Sequence, residues 1–283
     1  MNNSEVTLDK KFQEITIEAG RTERQYWKDL WNYRELFYFL AWRDILVRYK
    51  QTVIGVLWAL LRPLIIMVVF TIVFGKMAKL PSEGVPYPIL VFTALLPWQF
   101  FSNSLTESSS SLINNSNLIS KVYFPRLVVP TSSVIVSFVD FIISGAILFV
   151  LMVWYDFWPT WCILTLPFFV LIAFTASMGA GLWISALNVK YRDFRYIVPF
   201  IVQFGLYISP IGFSSTVVPE KWRLLYSLNP MVGVIEGFRW AILGKNTEYY
   251  IPGFTLSICI VILIFTGGLW FFRITEKTFA DVI

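Results

Sequence analysis

The chain has 283 residues, of which 57% are hydrophobic, 18% aromatic and only 14% charged. A soluble domain of this length carries roughly 25% charged residues and at most about half apolar ones, so a water-soluble globular enzyme is excluded. The formal net charge is +5 and histidine is absent, which removes the usual imidazole acid–base and metal-ligand chemistry.

Residues 1–29 are polar and mixed in charge, without the basic head, apolar middle and small-residue cleavage site of a secretory signal. They are predicted to remain as a cytoplasmic N-terminal tail. The stretch YWKDLWNYRELFYFLAWRDILVRYK that follows is too charged to cross a bilayer and too apolar for a solvated linker. It predicts an amphipathic helix in the cytoplasmic interface over 30–52. Such a helix is either a lipid-anchored stem or a place where Arg43, Arg48 and Lys50 meet an anionic, lipid-linked substrate.

A helix needs about 20 mainly apolar residues to cross ~30 Å of hydrocarbon. Runs of that kind lie near 53–75, 89–111, 127–154, 161–187, 196–213 and 251–272, which predicts an all-α membrane protein with six spans over 53–273. The first contains Arg62 followed by Pro63, and an intramembrane arginine faces protein, water or headgroups, or snorkels to the near interface. The second is apolar at one end and hydroxyl-rich at the other, where Ser102, Ser104, Thr106, Ser108 to Ser111 and Glu107 should face a wet cavity or another helix. Asp140 in the third reads as a helix-to-helix hydrogen bond rather than a proton relay. Glu107 and Asp140 stand isolated from each other in this reading. Trp98 and Phe101 follow Pro97, and Tyr207 precedes Pro210; rings at that depth are core packing or a sugar-stacking path.

Between the second and third runs, INNSNLISKVYFPR offers Asn114 or Asn115 as a helix cap, with Leu118, Ile119 and Val122 on one side and Asn117, Ser120, Lys121 and Phe124 projecting elsewhere. Pro125 is expected to stop this helix. The long segment before the last run is punctuated by Pro219, Pro230 and Gly244 and predicts two short helices, 219–229 and 231–243, dipping in from the outer side. Glu236 and Arg239 fall three apart on the second. Sixteen Lys and Arg residues lie on the side that holds both termini and six on the other, with Arg62 within a span. That asymmetry puts both ends in the cytoplasm, including the tail 274–283, and contact with anionic lipid accounts for the net charge. Cys162 and Cys259 form no metal or disulfide pattern.

A phosphate cradle requires G-x-x-x-x-G-K-[ST]. The Gly-Lys pairs at Gly75-Lys76 and Gly244-Lys245 lack both the upstream glycine and the following hydroxyl. ATP-driven work would therefore need a separate ATPase subunit on the cytoplasmic face.

In order, WRDILVRYKQTVIGVLWALLRPL, LPWQFFSNSL, NLISKVYFPRLVVP, NVKYRDFRYIVPF, SPIGFSSTVVPEKW, LNPMVGVIEGFRWAILG and EKTFADVI resemble the membrane subunit of bacterial polysaccharide ABC exporters, the type-2 permeases for O-antigen, capsule and teichoic acid. The similarity runs from about residue 30 to the end. It implies a homodimer working with two ATPase subunits, ATP and Mg being bound by those partners and no cofactor by this chain. A coupling helix at about 115–124 would carry Asn115, Asn117, Leu118, Ile119, Lys121 and Phe124, with Arg192 and Asp193 of the 188–195 loop as a lesser contact. The first and fifth spans would line a path at the dimer seam near Trp98, Phe101 and Tyr207. The two outer helices would be gates, with Trp222, Glu236 and Arg239. The implied substrate is polysaccharide on undecaprenyl pyrophosphate, O-antigen first, crossing the bacterial inner membrane, with Arg43, Arg48, Lys50 and Arg62 toward its headgroup. Alternatives are a teichoic acid exporter or a permease of this family for another lipid, peptide or drug. A membrane enzyme such as a glycolipid transferase would need clustered acids, bases or metal ligands.

Overall fold

Proline and glycine set many helix boundaries in the computed structural model of the chain, which describes residues 23–50, 55–82, 84–244 and 250–279. Most of the predicted N-terminal tail, and the last residues of the predicted C-terminal tail, lie outside the described residues. Pro at the first helical turn opens α4 (Tyr87–Asn114), α7 (Leu166–Lys190), α10 (Pro230–Leu243) and α11 (Ile251–Thr275), where the missing N–H is no loss and φ is already helical. Gly244, at φ +78°, ends α10.

The described residues form helices joined by turns and loops, with no strand among them, and five stretches are long and apolar enough to cross a membrane: Leu60–Met77, Tyr87–Asn114, Val128–Trp154, Trp161–Lys190 and Ile251–Thr278. The first is α3 (Gly55–Phe70) prolonged by a π-helical end, Thr71–Met77; the third is α6 (Val128–Trp154). The run 196–213 differs from the expectation of a full span. It forms α8 (Phe194–Ile208), 15 residues or about 22 Å at 1.5 Å per residue, short of the hydrocarbon thickness. The cause is local: Pro210 excludes Ser209 from the helical region, and Ser209 is extended at ψ 152°.

The stem is two helices, α1 (Glu23–Asn32) and α2 (Arg34–Lys50), divided at Tyr33. Apolar residues ring α2 instead of forming one stripe. Leu40 and Ala41 are buried, while Tyr38, Phe39, Trp42, Leu46 and Val47 are exposed.

The core is organised around α4, whose span is 78% buried against 17% for the spans of α3 and α11. Helices α6 and α7 pack along it, and α11 packs on α7. The α7–α11 contact is backbone to backbone: a Cβ on Gly268 would lie 2.5 Å from the carbonyl oxygen of Gly179, the close approach that small residues permit between membrane helices. The hydroxyl-rich half of α4 meets both expectations: Ser104, Ser108, Ser109 and Ser111 are buried among neighbouring helices, while Ser102, Thr106 and Glu107 border a cavity. Most of its hydroxyls bond to the carbonyls of their own helix, Ser102 to Gln99, Thr106 to Ser102, Ser109 to Thr106 and Ser111 to Ser108.

Helices α5 (Ser116–Lys121) and α9 (Glu220–Tyr226) lie at opposite ends of the bundle. The α5 end also gathers the start of α6, the α7–α8 turn and the end of α11.

Candidate functional site

A cavity of about 950 Å³ opens between the end of α2 and helices α3, α4, α6 and α8. On α4 its wall is a polar stripe, Gln99, Ser102, Asn103, Thr106 and Glu107, spaced so that all share one helical face. Asp140 and Ser144 of α6 are one turn apart on the same wall, Gln203 comes from α8, and Trp98, Pro63, Ile66, Pro199 and Leu206 supply apolar surface.

Glu107 and Asp140, expected to be isolated, meet here on one cation. Arg48 donates through Nη1 to Asp140 Oδ2 at 2.5 Å and through Nη2 to Glu107, and the Tyr49 hydroxyl donates to the other Asp140 oxygen. The Asp140 side chain is nearly buried at 13% exposure, whereas Glu107 is half-exposed at 45%. Asp140 lies twelve residues into α6, about 18 Å from its start, so the end of α2 reaches well into the bundle. The partners are 59 and 92 residues apart in sequence, which is why the cluster escaped a reading of the chain run by run.

The four cations assigned to a headgroup divide between two places. Arg48 and Arg62 border the large cavity; Arg62 is exposed and, among the described residues, has no ion pair. Arg43 and Lys50 border a separate groove on the outward face of α2 with Phe39, Trp42, Leu46 and Val47. Arg43 also pairs with Asp44 and donates from Nη2 to Asn115 Oδ1 at 3.0 Å.

Of the ring residues, Trp98 borders the cavity but is only 4% exposed, because its six-membered ring lies on Gly205 of α8, where a Cβ would come within 2.4 Å. Phe101 packs beside it with centroids 5.9 Å apart. Tyr207 is exposed and stacks on Phe70 at 6.2 Å. Gly205→Ala is expected to displace Trp98 and lower thermal stability by roughly 1 kcal/mol, the low end for overpacking, as read from unfolding in detergent.

At the α5 end, Asn115 occupies the cap position without capping. Its amide donates back to the Ser111 carbonyl at 2.8 Å, and its oxygen takes Arg43. The helix stops at Lys121, four residues before Pro125, and Val122 is extended (φ −126°, ψ 134°). Helical spacing therefore fails beyond Lys121, and the two sides exchange members: Val122 is exposed and Phe124 buried. Ile119 is buried, Leu118 half-buried, and Asn117 and Lys121 face outward. Beside this helix, Glu276 is a hub. Its carboxylate accepts from the Arg126 backbone N–H (2.8 Å), the Tyr26 hydroxyl (3.2 Å) and Arg273 (3.0 Å), while Arg126 also donates to the Glu276 carbonyl. Arg273 lies 3.2 Å over the Tyr26 ring. Burial, joined by the Glu276 carboxylate, pushes the Tyr26 phenol well above its ordinary range. Arg192 and Asp193 are exposed in the α7–α8 turn, where Arg192 and Arg195 edge a smaller pocket with Ser116 and Asn188.

At the opposite end, side chains bond the carbonyls at the end of α8 and just beyond it. Tyr226 donates to Ile208, Arg239 to Ile211 and Phe213, and Tyr87 to Gly212. Glu236 and Arg239 are buried and Trp222 is exposed.

Residues 35–243 match the family described as ABC-2 type transporter. The chain is 30% identical to the O-antigen export system permease protein RfbA of Myxococcus xanthus, over 90% of this chain and 98% of that protein. It is 28% identical to an RfbA protein of Klebsiella pneumoniae, over 88% of this chain and 95% of that one. The polysialic acid transport protein KpsM of Escherichia coli is 24% identical, over 83% and 91%.

Proposed function

The chain belongs to the ABC-2 type transporter family, and on that premise we propose that it is the permease subunit of an ATP-driven exporter of lipid-linked polysaccharide, O-antigen first. The observation that carries this reading is the cavity between α3, α4, α6 and α8. It joins a cation, Arg62, that has no ion pair among the described residues, to a wall of amides and hydroxyls and to apolar surface. Those three chemistries suit the pyrophosphate, the sugar hydroxyls and the polyprenyl chain of one amphipathic substrate. Relatives named for O-antigen export, similar along nearly the whole chain, support it.

In this reading two copies of the chain work with two ATPase subunits in the inner membrane, with α8 and its continuation as a sixth, incomplete crossing. ATP and Mg reside on the ATPase. The α5 end is cytoplasmic with both termini, and α5 is the coupling helix. Asn117 and Lys121 present its outward face, Ile119 and Phe124 root it, and Arg192 and Asp193 add a second contact. On the outer side α9 and α10 act as gates, held to the end of α8 by Tyr226 and Arg239.

The test is co-purification with an ATPase subunit, followed by hydrolysis assays in lipid nanodiscs. Undecaprenyl-pyrophosphate-linked polysaccharide should raise ATP turnover several-fold, and Lys121→Ala should remove the rise while membrane insertion persists. Stimulation by a hydrophobic drug and not by the glycolipid would replace polysaccharide with another cargo.

A further inference from the structure

We propose that the cavity selects by charge, taking glycans built from neutral sugars and turning away acidic ones, with Glu107 and Asp140 as the residues that set this specificity. The inference rests on the reading of the cavity as the place where the sugar chain passes.

Two carboxylates border the cavity, and the single cation that touches both of them, Arg48, is shared between them. The three groups together carry a formal charge of −1. Arg62, the other cation of the lining, offsets that charge only while it is not engaged by the substrate pyrophosphate. With a pyrophosphate on Arg62, the remaining wall is acidic. Glu107 is the member a passing sugar would meet, since its side chain is 45% exposed, whereas Asp140 at 13% reinforces it from behind.

The rest of the wall has no preference of its own for charge. Gln99, Asn103 and Gln203 each offer an amide donor and acceptor, and Ser102, Thr106 and Ser144 offer hydroxyls. A neutral pyranose satisfies all of these and donates its hydroxyls to the carboxylates as well. A uronic acid brings a second anion to a wall whose cation is already committed, and like charges held close together there repel. Specificity of this kind comes from the repulsive element at least as much as from the attractive ones.

The experiment uses the full chain purified with its ATPase subunit in nanodiscs. Two probes differ only in oxidation at C6: an undecaprenyl-pyrophosphate-linked oligosaccharide of neutral hexoses, and its counterpart with the corresponding uronic acids. The neutral probe is expected to half-maximally stimulate ATP hydrolysis at a concentration at least tenfold lower than the acidic one. In Glu107→Gln, which leaves Asp140 to hold Arg48, that ratio should shrink toward one. Equal potency of the two probes on the unaltered protein overturns the charge selection and leaves the polysaccharide reading standing. So does a ratio that Glu107→Gln fails to change. Silence toward both probes, with the ATPase bound and active, overturns the polysaccharide reading itself and this inference with it.

Discussion

Arg48→Gln is expected to abolish export and to destabilise the protein by about 3 kcal/mol, the loss produced when one partner of a largely buried ion pair is removed. The arginine bonds both Asp140 and Glu107, so its removal leaves a nearly buried carboxylate deep in the bundle with the Tyr49 hydroxyl as its only remaining bond among those described. The figure sits at the lower end of the range because Glu107 keeps contact with water. Thermal unfolding of Arg48→Gln, of Glu107→Gln with Asp140→Asn, and of the triple variant separates the pairing from other effects. The triple variant should recover most of the stability lost in Arg48→Gln. If Arg48→Gln is equally harmful with and without the carboxylates, the cluster contributes nothing.

Glu276→Ala is expected to be almost as damaging, for a different reason. One carboxylate serves a backbone N–H, a phenol and a guanidinium belonging to three separate segments. Truncation leaves these donors short of an acceptor at about 1–3 kcal/mol each where they are buried, and a net loss of about 3 kcal/mol is expected. A tyrosine phenol is protonated throughout the physiological range, and burial with the Glu276 carboxylate, by raising it further, keeps Tyr26 a donor at more alkaline pH as well. The consequence should be local as well as global: α1 detaches, and limited proteolysis cuts near residue 30 before the spans unfold. Glu276→Gln, which keeps the shape and the acceptor oxygen, should be several-fold less susceptible. Equal protease resistance of Glu276→Ala and the unaltered chain would show that the knot is ornamental.

Much of the fold was legible in the sequence because hydropathy and proline placement act locally. Even the short α8 has its cause in the Ser209-Pro210 pair, which hydropathy averages away. The candidate site was legible only in parts. Arg62 drew notice as a charge in an apolar run, Arg48 as a cation of the interfacial helix and Trp98 as a ring following Pro97, but the polar stripe Gln99, Asn103, Glu107 was masked by the many serines beside it. Its four-residue period was the available signal. The joining of Glu107 to Asp140 depends on a guanidinium from α2, and no local pattern reports a partner so distant in the chain. On α5 the helical period was carried three residues too far, past the point where Val122 leaves the helix, and so misplaced Val122 and Phe124. The glycine at 205 carries no mark at all in one sequence, since what makes it necessary is an indole arriving from another helix.

One consequence of the way α4 satisfies its own polar groups concerns mechanics. Between residues 88 and 106 its hydroxyl bonds described in the structure all close on the same helix. The ties to its surroundings sit at the extremities, Tyr87 above and Glu107, Ser108 and Ser109 below. Such a shaft is hydrogen-bonded to its surroundings at top and bottom and held between them by packing. Turning or sliding it within its sleeve would break no side-chain hydrogen bond among those described between residues 88 and 106, so its resistance to such movement there comes from packing alone.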